Sequence, residues 1–105
     1  MAQLSESTIR MNFNNALRQA EQLDRLATEL SRLSGNELSG SLSSIAAAWK
    51  GDSSNLFLQK GNALAGQISD SANALRSAAS DIRSIAQRTY NAEMRALELA
   101  RLREV

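Results

Sequence analysis

The first half of the chain carries apolar residues at the three- and four-residue spacing of an amphipathic helix. At about 100° per residue they fall in one stripe, within roughly 60° of its centre. This pattern predicts one helix over about residues 5–47. Each glycine inside a helix costs about 1 kcal/mol, so we expect a kink or a frayed turn at residues 34–36, around Gly35. The stripe comprises Ile9, Phe13, Ala16, Ala20, Leu23, Ala27, Leu30, Leu38, Leu42, Ile45 and Trp49.

The second half repeats the pattern and predicts a second helix over about residues 53–101. Spacings of three and four alternate, as the contact line between two packed helices requires. Many of these positions hold small residues, which let two helix backbones approach closely. The positions are Phe57, Gly61, Leu64, Ile68, Ala72, Leu75, Ala79, Ile82, Ala86, Tyr90 and Leu97.

Residues 48–52 separate the two stripes and predict a tight turn. Gly51 can adopt the positive φ that commonly ends a helix. Asp52 or Ser53 offers a side-chain oxygen to cap the first free N–H groups of the second helix. Because so short a connection joins neighbouring helices that run in opposite directions, we expect an antiparallel two-helix hairpin.

The predicted fold is therefore all-α, with residues 1–105 forming a single domain. The chain has no proline and only 4% aromatic residues, a composition typical of helical proteins. A two-helix hairpin covers only one side of each helix. The uncovered sides predict association with a second hairpin, either another copy or a different chain.

Charge and composition argue against several classes of function. The 12 basic and 11 acidic residues nearly cancel, which disfavours binding to nucleic acid. Without histidine or cysteine, the chain lacks the usual catalytic nucleophile–base pairs and cannot form a Cys or His metal site. We therefore expect no enzymatic activity and no cofactor. No apolar run reaches the ~20 residues of a membrane-spanning helix, so stable membrane insertion is not expected.

Two aromatic residues each allow a structural and a functional interpretation. Trp49, the single tryptophan, could cover the open end of the hairpin at the turn, or it could belong to a docking surface. Tyr90 has the phase of the helix–helix contact line and so could simply be core. Glu93, nearly one turn later, would be solvated.

The turn also carries a motif. Trp49, Lys50 and Gly51 form a W-x-G tripeptide near the midpoint of a helical chain of about one hundred residues. The surrounding sequence, from Leu42 to Phe57, resembles the central stretch of the WXG family of ESAT-like proteins. The resemblance covers essentially the whole chain. It implies a helical hairpin that pairs with another hairpin, as a homodimer or heterodimer, into a four-helix bundle.

The same resemblance implies a role in the type VII secretion systems of Gram-positive and mycobacterial cells. Members of the family leave the cytoplasm folded and without a cleaved signal peptide, which agrees with the absence of a basic and then apolar N-terminus here. Trp49 and Gly51 would mark the turn that combines with a C-terminal export signal. That signal is a tyrosine followed four residues later by an acid. In this chain Met94 holds that position, and the acid comes one residue early, at Glu93. Tyr90 and Glu93 thus form a degenerate signal, or a partner supplies the working one.

These observations lead to one functional prediction. The chain acts by protein binding, as an adaptor, chaperone or co-secreted partner of an exported helical effector such as an LXG-type toxin. Its further partners would be the helical N-terminal domain of that effector and the secretion ATPase. Two alternatives stay open: a secreted membrane-active effector, and a structural coiled-coil subunit unrelated to secretion. The predicted partner interface comprises Phe13, Leu23, Leu30, Phe57, Leu64, Ile68, Leu75 and Ile82.

Overall fold

A computed structural model describes residues 5–104, which are almost entirely helical and contain no strand. Helix α1 spans Glu6–Arg32 and continues through a π-helical turn, Leu33–Leu38, into α2, Ser39–Ala48. Helix α3 spans Asp52–Arg103. The all-α prediction is confirmed for the described residues. The predicted helix limits, 5–47 and 53–101, differ from the observed ends by at most two residues.

Helix α1 begins with a side-chain cap at Ser5. The Ser5 hydroxyl accepts a hydrogen bond from the Thr8 backbone N–H at 3.1 Å, and the Ser5 carbonyl accepts one from the Ile9 N–H at 3.0 Å. The first bond satisfies one of the backbone N–H groups that the first turn otherwise leaves free, and the second is the first regular bond of the helix. Glu6 in this first turn places a negative charge at the positive end of the helix dipole.

The irregularity predicted around residues 34–36 is confirmed, and it is a widened turn instead of a break. The Ser39 backbone N–H donates to the Ser34 carbonyl five residues earlier, and the Ser39 hydroxyl donates to the same oxygen at 2.8 Å. Ala27 and Ser34 are buried at a spacing of seven residues, whereas the next buried residue, Leu42, lies eight residues after Ser34. The π turn accommodates the extra residue, so that Leu42 faces the same way as Ser34.

The chain reverses at residues 49–51. Trp49 leaves the helix in an extended conformation (φ −124°, ψ 119°), and Gly51 has a φ of +123°, as its sequence position predicts. The capping prediction is wrong, because α3 already includes Asp52 and neither Asp52 nor Ser53 makes a capping hydrogen bond within the described chain. The Gly51 carbonyl instead accepts the Asn55 N–H at 3.1 Å and the Ser54 hydroxyl at 2.8 Å.

The helices pack as two compact units. The turn unit, residues 24–76, is an antiparallel hairpin. The Ser34 hydroxyl donates to the Ala65 carbonyl at 2.7 Å, and Arg76 donates to the Ser31 hydroxyl at 2.9 Å. The buried residues of the turn unit are mostly small: Ala27, Ser34, Leu42, Ser54 and Ala72.

The other unit, here called the terminal unit, combines residues 5–23 with residues 77–104. Its two segments also run antiparallel, since Phe13 packs on Tyr90 and Glu6 lies beside Arg101. Its buried apolar residues are Ile9, Ala20, Ala79 and Ala86. As the small residues in the sequence pattern predict, alanine dominates the helix–helix contact line in this unit too.

The two glycines inside α3 differ in what surrounds them. A Cβ at Gly61 would lie 3.1 Å from Leu42 Cδ1 and closer still to Cδ2, whereas a Cβ at Gly66 would meet nothing within 4 Å. Both glycines lie inside an apolar period of the sequence, which predicts close helix packing at each. That prediction is confirmed at Gly61 and wrong at Gly66.

This difference predicts opposite effects of two matched substitutions. Gly66→Ala should stabilise the protein by about 0.5–1 kcal/mol, because alanine favours the helix and nothing obstructs its methyl group. Gly61→Ala should be at least about 1 kcal/mol less stable than Gly66→Ala, because the Leu42 side chain must move. Thermal or denaturant unfolding of both variants measures the difference. Equal stabilisation by the two would contradict the described packing of Leu42 on Gly61.

Candidate protein-binding site

The terminal unit contains an open, mainly apolar groove of about 250 Å³ between α1 and α3. Residues of both helices reach it at three- and four-residue spacing, so one side of each helix contributes. Apolar carbon dominates its surface, and polar groups are confined to a few side chains. The lining residues are Ile9, Asn12, Phe13, Ala16, Ile82, Ile85, Ala86, Thr89, Tyr90 and Glu93. Such a surface suits the aliphatic ridge of another helix.

An aromatic pair stands at the edge of this groove. The rings of Phe13 and Tyr90 have centroids 4.9 Å apart and are tilted by 39°, a favourable geometry for aromatic packing. Tyr90 is half-buried by this contact, and Glu93 is half-buried at the groove rim. Tyr90 is therefore part of the helix–helix packing of this unit, which agrees with the structural interpretation of its sequence phase.

A cluster of charges fixes the end of the terminal unit. Arg10 donates two hydrogen bonds to Glu6 Oε1, at 2.8 and 3.2 Å, and Arg101 lies 3.7 Å from Glu6 Oε2. The hydrogen bond from Arg10, followed by its positive charge, lowers the pKa of the Glu6 carboxyl group. The same hydrogen bond raises the pKa of Arg10. All three side chains are substantially exposed, so this cluster orients helix ends and leaves most of the stability to packing.

The turn unit exposes large apolar side chains beside its helix–helix contact line. Their exposure ranges from 42% to 56%, and they are Leu26, Leu33, Leu56, Phe57 and Leu64. Leu30 and Ser31 follow each other in α1, so they flank the contact line on opposite sides. The Ser31–Arg76 hydrogen bond marks the polar side. Leu30 and its neighbours Leu26 and Leu33 therefore belong to the apolar side.

Trp49 is not buried at the turn. Its ring lies 6.0 Å from that of Phe57, centroid to centroid, and the two planes meet at 50°. Trp49 is nevertheless 47% exposed and Phe57 is 48% exposed. The tryptophan thus rests on the start of α3 and leaves about half of its surface accessible to another molecule.

The residues predicted for the partner interface divide into two groups. Phe57 and Leu64 are exposed, whereas the other six are half-buried along the contact between α1 and α3: Phe13, Leu23, Leu30, Ile68, Leu75 and Ile82. The predicted interface does not include the exposed Leu26, Leu33 and Ile85, although Leu26 and Leu33 widen the flanks of the first apolar stripe in the sequence. Each lies three positions after a residue of the predicted interface. These residues form a second apolar line in the sequence, and that line could have identified them.

Two other kinds of feature, a metal-holding group and a membrane-spanning helix, are not found in the part of the chain that is described. Residues 5–104 contain no group of three or more side chains able to hold a metal ion. None of their helices is both long and apolar enough to cross a membrane. Exposed and half-buried apolar side chains at helical spacing are the main surface feature of the described helices.

The charge cluster generates a titration prediction. Glu6 should titrate below its ordinary value of about 4.5, because Arg10 stabilises the ionised carboxylate. The stabilisation that this group provides is present above the ordinary pKa and is lost as the pH falls through the lowered one. NMR titration of the Glu6 carboxyl carbon measures the shift. Arg10→Gln should return the pKa toward 4.5, while Arg18→Gln should leave it low; an unchanged pKa in Arg10→Gln would contradict the assignment.

Comparison with known proteins adds no relative from which a function could be transferred: no family model, no curated protein and no solved structure matches this chain.

Proposed function

We propose that this chain is a WXG protein of a type VII secretion system that acts by protein binding. Its role is that of an adaptor, chaperone or co-secreted partner of an exported helical effector, such as an LXG-type toxin. It binds another helical hairpin, contacts the helical N-terminal domain of the effector, and leaves the cytoplasm through the secretion ATPase without a cleaved signal. The W-x-G tripeptide at residues 49–51 motivates the choice of family.

The observation that carries the protein-binding part is the row of exposed apolar side chains beside each helix–helix contact. Leu26, Leu33 and Leu64 are each more than 40% exposed in the turn unit, and Ile85 is 54% exposed in the terminal unit. Fully burying one such side chain contributes roughly 1.5–3 kcal/mol. Several at helical spacing match the ridges of a partner helix, a recurring mode of helix-in-groove recognition.

The geometry of the turn supports a docking role for the motif. Gly51 has the positive φ that a side chain would disfavour, and Trp49 keeps about half of its surface exposed. Tyr90, by contrast, is held against Phe13. Together with the misplaced acid at Glu93, that contact favours a partner, and not this chain, as the source of the C-terminal export signal.

The binding proposal predicts the effect of a charge on the exposed row. Leu64→Asp should weaken binding of the native partner by about tenfold to a hundredfold. The substitution places a carboxylate where the complex would bury an apolar side chain against the partner. Leu64 is 49% exposed, so the isolated chain should keep its melting temperature within a few degrees. Co-purification from the native cell measures binding, with Asn62→Asp as the control on the polar side of the same helix. Equal partner recovery for both variants would contradict the proposal.

The secretion proposal predicts a separate effect at Trp49. Trp49→Ala should lose about 0.5–1.5 kcal/mol of stability, the usual worth of one aromatic pair, and should accumulate inside the cell. Leu56→Ala, which removes a neighbouring exposed side chain, is the control and should still reach the medium.

Deleting the secretion ATPase should remove the unmodified chain from the medium as well. Unchanged extracellular levels in that strain would reject the type VII route. If purified protein also released the contents of anionic vesicles at neutral pH, a membrane-active effector would replace the adaptor.

A further inference from the structure

Glu93 carries the one charge among the described residues that line the terminal-unit groove. The other nine lining residues are uncharged, and most of their surface is apolar. Glu93 is half-buried at the rim, and within residues 5–104 its carboxylate makes no hydrogen bond or ion pair. Water that enters the open groove is therefore what stabilises this charge in the free chain.

The arginines of the terminal unit do not neutralise Glu93. Arg10 donates both of its hydrogen bonds to Glu6, at 2.8 and 3.2 Å. Arg88 and Arg95, on the same helix as Glu93, are exposed and do not line the groove. A cation that reaches the Glu93 carboxylate across the groove must therefore come from a bound molecule.

A helix that packs into the groove changes the surroundings of Glu93. Its aliphatic ridge covers Ile82 and Ile85 and displaces the water that now reaches the carboxylate. A carboxylate that loses water without gaining a partner opposes binding. A Lys or Arg beside the ridge replaces the water with a charge-assisted hydrogen bond, and its aliphatic stem adds apolar contact. An acidic residue in the same place would repel Glu93.

We propose that Glu93 selects the partner of the terminal-unit groove, which binds a helix that carries Lys or Arg beside its aliphatic ridge. The groove rejects helices with an acidic residue at that place. Because its own lining residues include no Lys or Arg, this charge requirement favours a different chain as the partner. The inference rests on the protein-binding part of the proposed function and adds the chemistry that the partner helix must have.

Three synthetic helices that differ at one position test this selection. Each is a stapled peptide of about 14 residues with leucine at the two apolar positions of each seven-residue repeat and uncharged polar residues elsewhere. Lys, Gln or Glu flanks the central leucine. The full chain should bind the Lys peptide about tenfold more tightly than the Glu peptide, with the Gln peptide between them. NMR titration of the labelled chain measures the three dissociation constants.

A charge reversal at Glu93 should reverse this order of affinities. In Glu93→Lys the groove carries a cation, which repels the Lys peptide and attracts the Glu peptide. Glu98→Lys makes the same change in net charge at an exposed residue outside the groove lining, so it should keep the original order. Equal affinity of the unmodified chain for all three peptides, or the same reversal in both variants, would overturn the proposal.

A matched pair of substitutions locates the bound peptide. Ile85 lines the groove and is 54% exposed, whereas Met11 is 55% exposed and does not line it. Ile85→Gln should weaken binding of the Lys peptide about fivefold to tenfold, because the ridge loses an apolar contact, and Met11→Gln should leave it unchanged. Equal effects of the two substitutions would overturn the proposal.

Other occupants of the groove give different results in the same titration. If a second copy of the chain already covers the groove, none of the peptides should bind. If the site recognises small amphiphilic cations, octylammonium should bind as tightly as the Lys peptide. Either result would overturn the proposal.

These outcomes are separable from those of the proposed function. Equal binding of all three peptides would remove the selective role of Glu93 and leave helix binding intact. A chain that prefers the Lys peptide but never depends on the secretion ATPase to reach the medium would keep the selection and reject the secretion route.

Discussion

The close approach of two antiparallel helices through small side chains governs the rest of this structure. Ala27 and Ala72 in the turn unit, and Ala20, Ala79 and Ala86 in the terminal unit, are buried with little or no exposed surface. Gly61 shows how tight the approach is, because Leu42 occupies the space that a Cβ would need. Small residues leave room for backbone proximity, but each one removes little apolar area from water.

A contact line of small residues leaves the larger apolar residues partly exposed. When alanine holds the centre, leucine, isoleucine and phenylalanine lie at the flanks, where another helix of the same hairpin does not reach. Leu26, Leu64 and Ile85 are about half-exposed for this reason. The exposed rows are therefore a direct consequence of how closely the helices pack, and they support the proposed binding of other helices.

Two local irregularities keep the contact line continuous in the turn unit. The π turn places Ser34 and Leu42 on the same side of the continuous helix that α1 and α2 form, although Leu42 follows Ser34 by eight residues. Its buried serine is satisfied by the Ala65 carbonyl across the contact. Gly51 then reverses the chain with a positive φ, and its carbonyl anchors the first turn of α3 through Asn55 and Ser54. Both devices use backbone geometry that a regular helix does not provide.

Periodicity determined the helical class and the helix limits to within two residues, because both depend on local spacing. The positions of the glycines indicated the turn at Gly51 and the irregular turn near Gly35, because both depend on the conformational properties of glycine. Tertiary packing decided the rest. It determined that the irregularity is a π turn, which lets Ser34 contact Ala65 and Leu42 contact Gly61 on the same side of the helix. It also determined that Gly61 is closely packed while Gly66 is open, and that Tyr90 packs on Phe13. Such contacts depend on which side of a helix faces its neighbour. The apolar stripe in the sequence is broad enough to include more than one side of the helix, so the stripe does not specify the side that faces the neighbour.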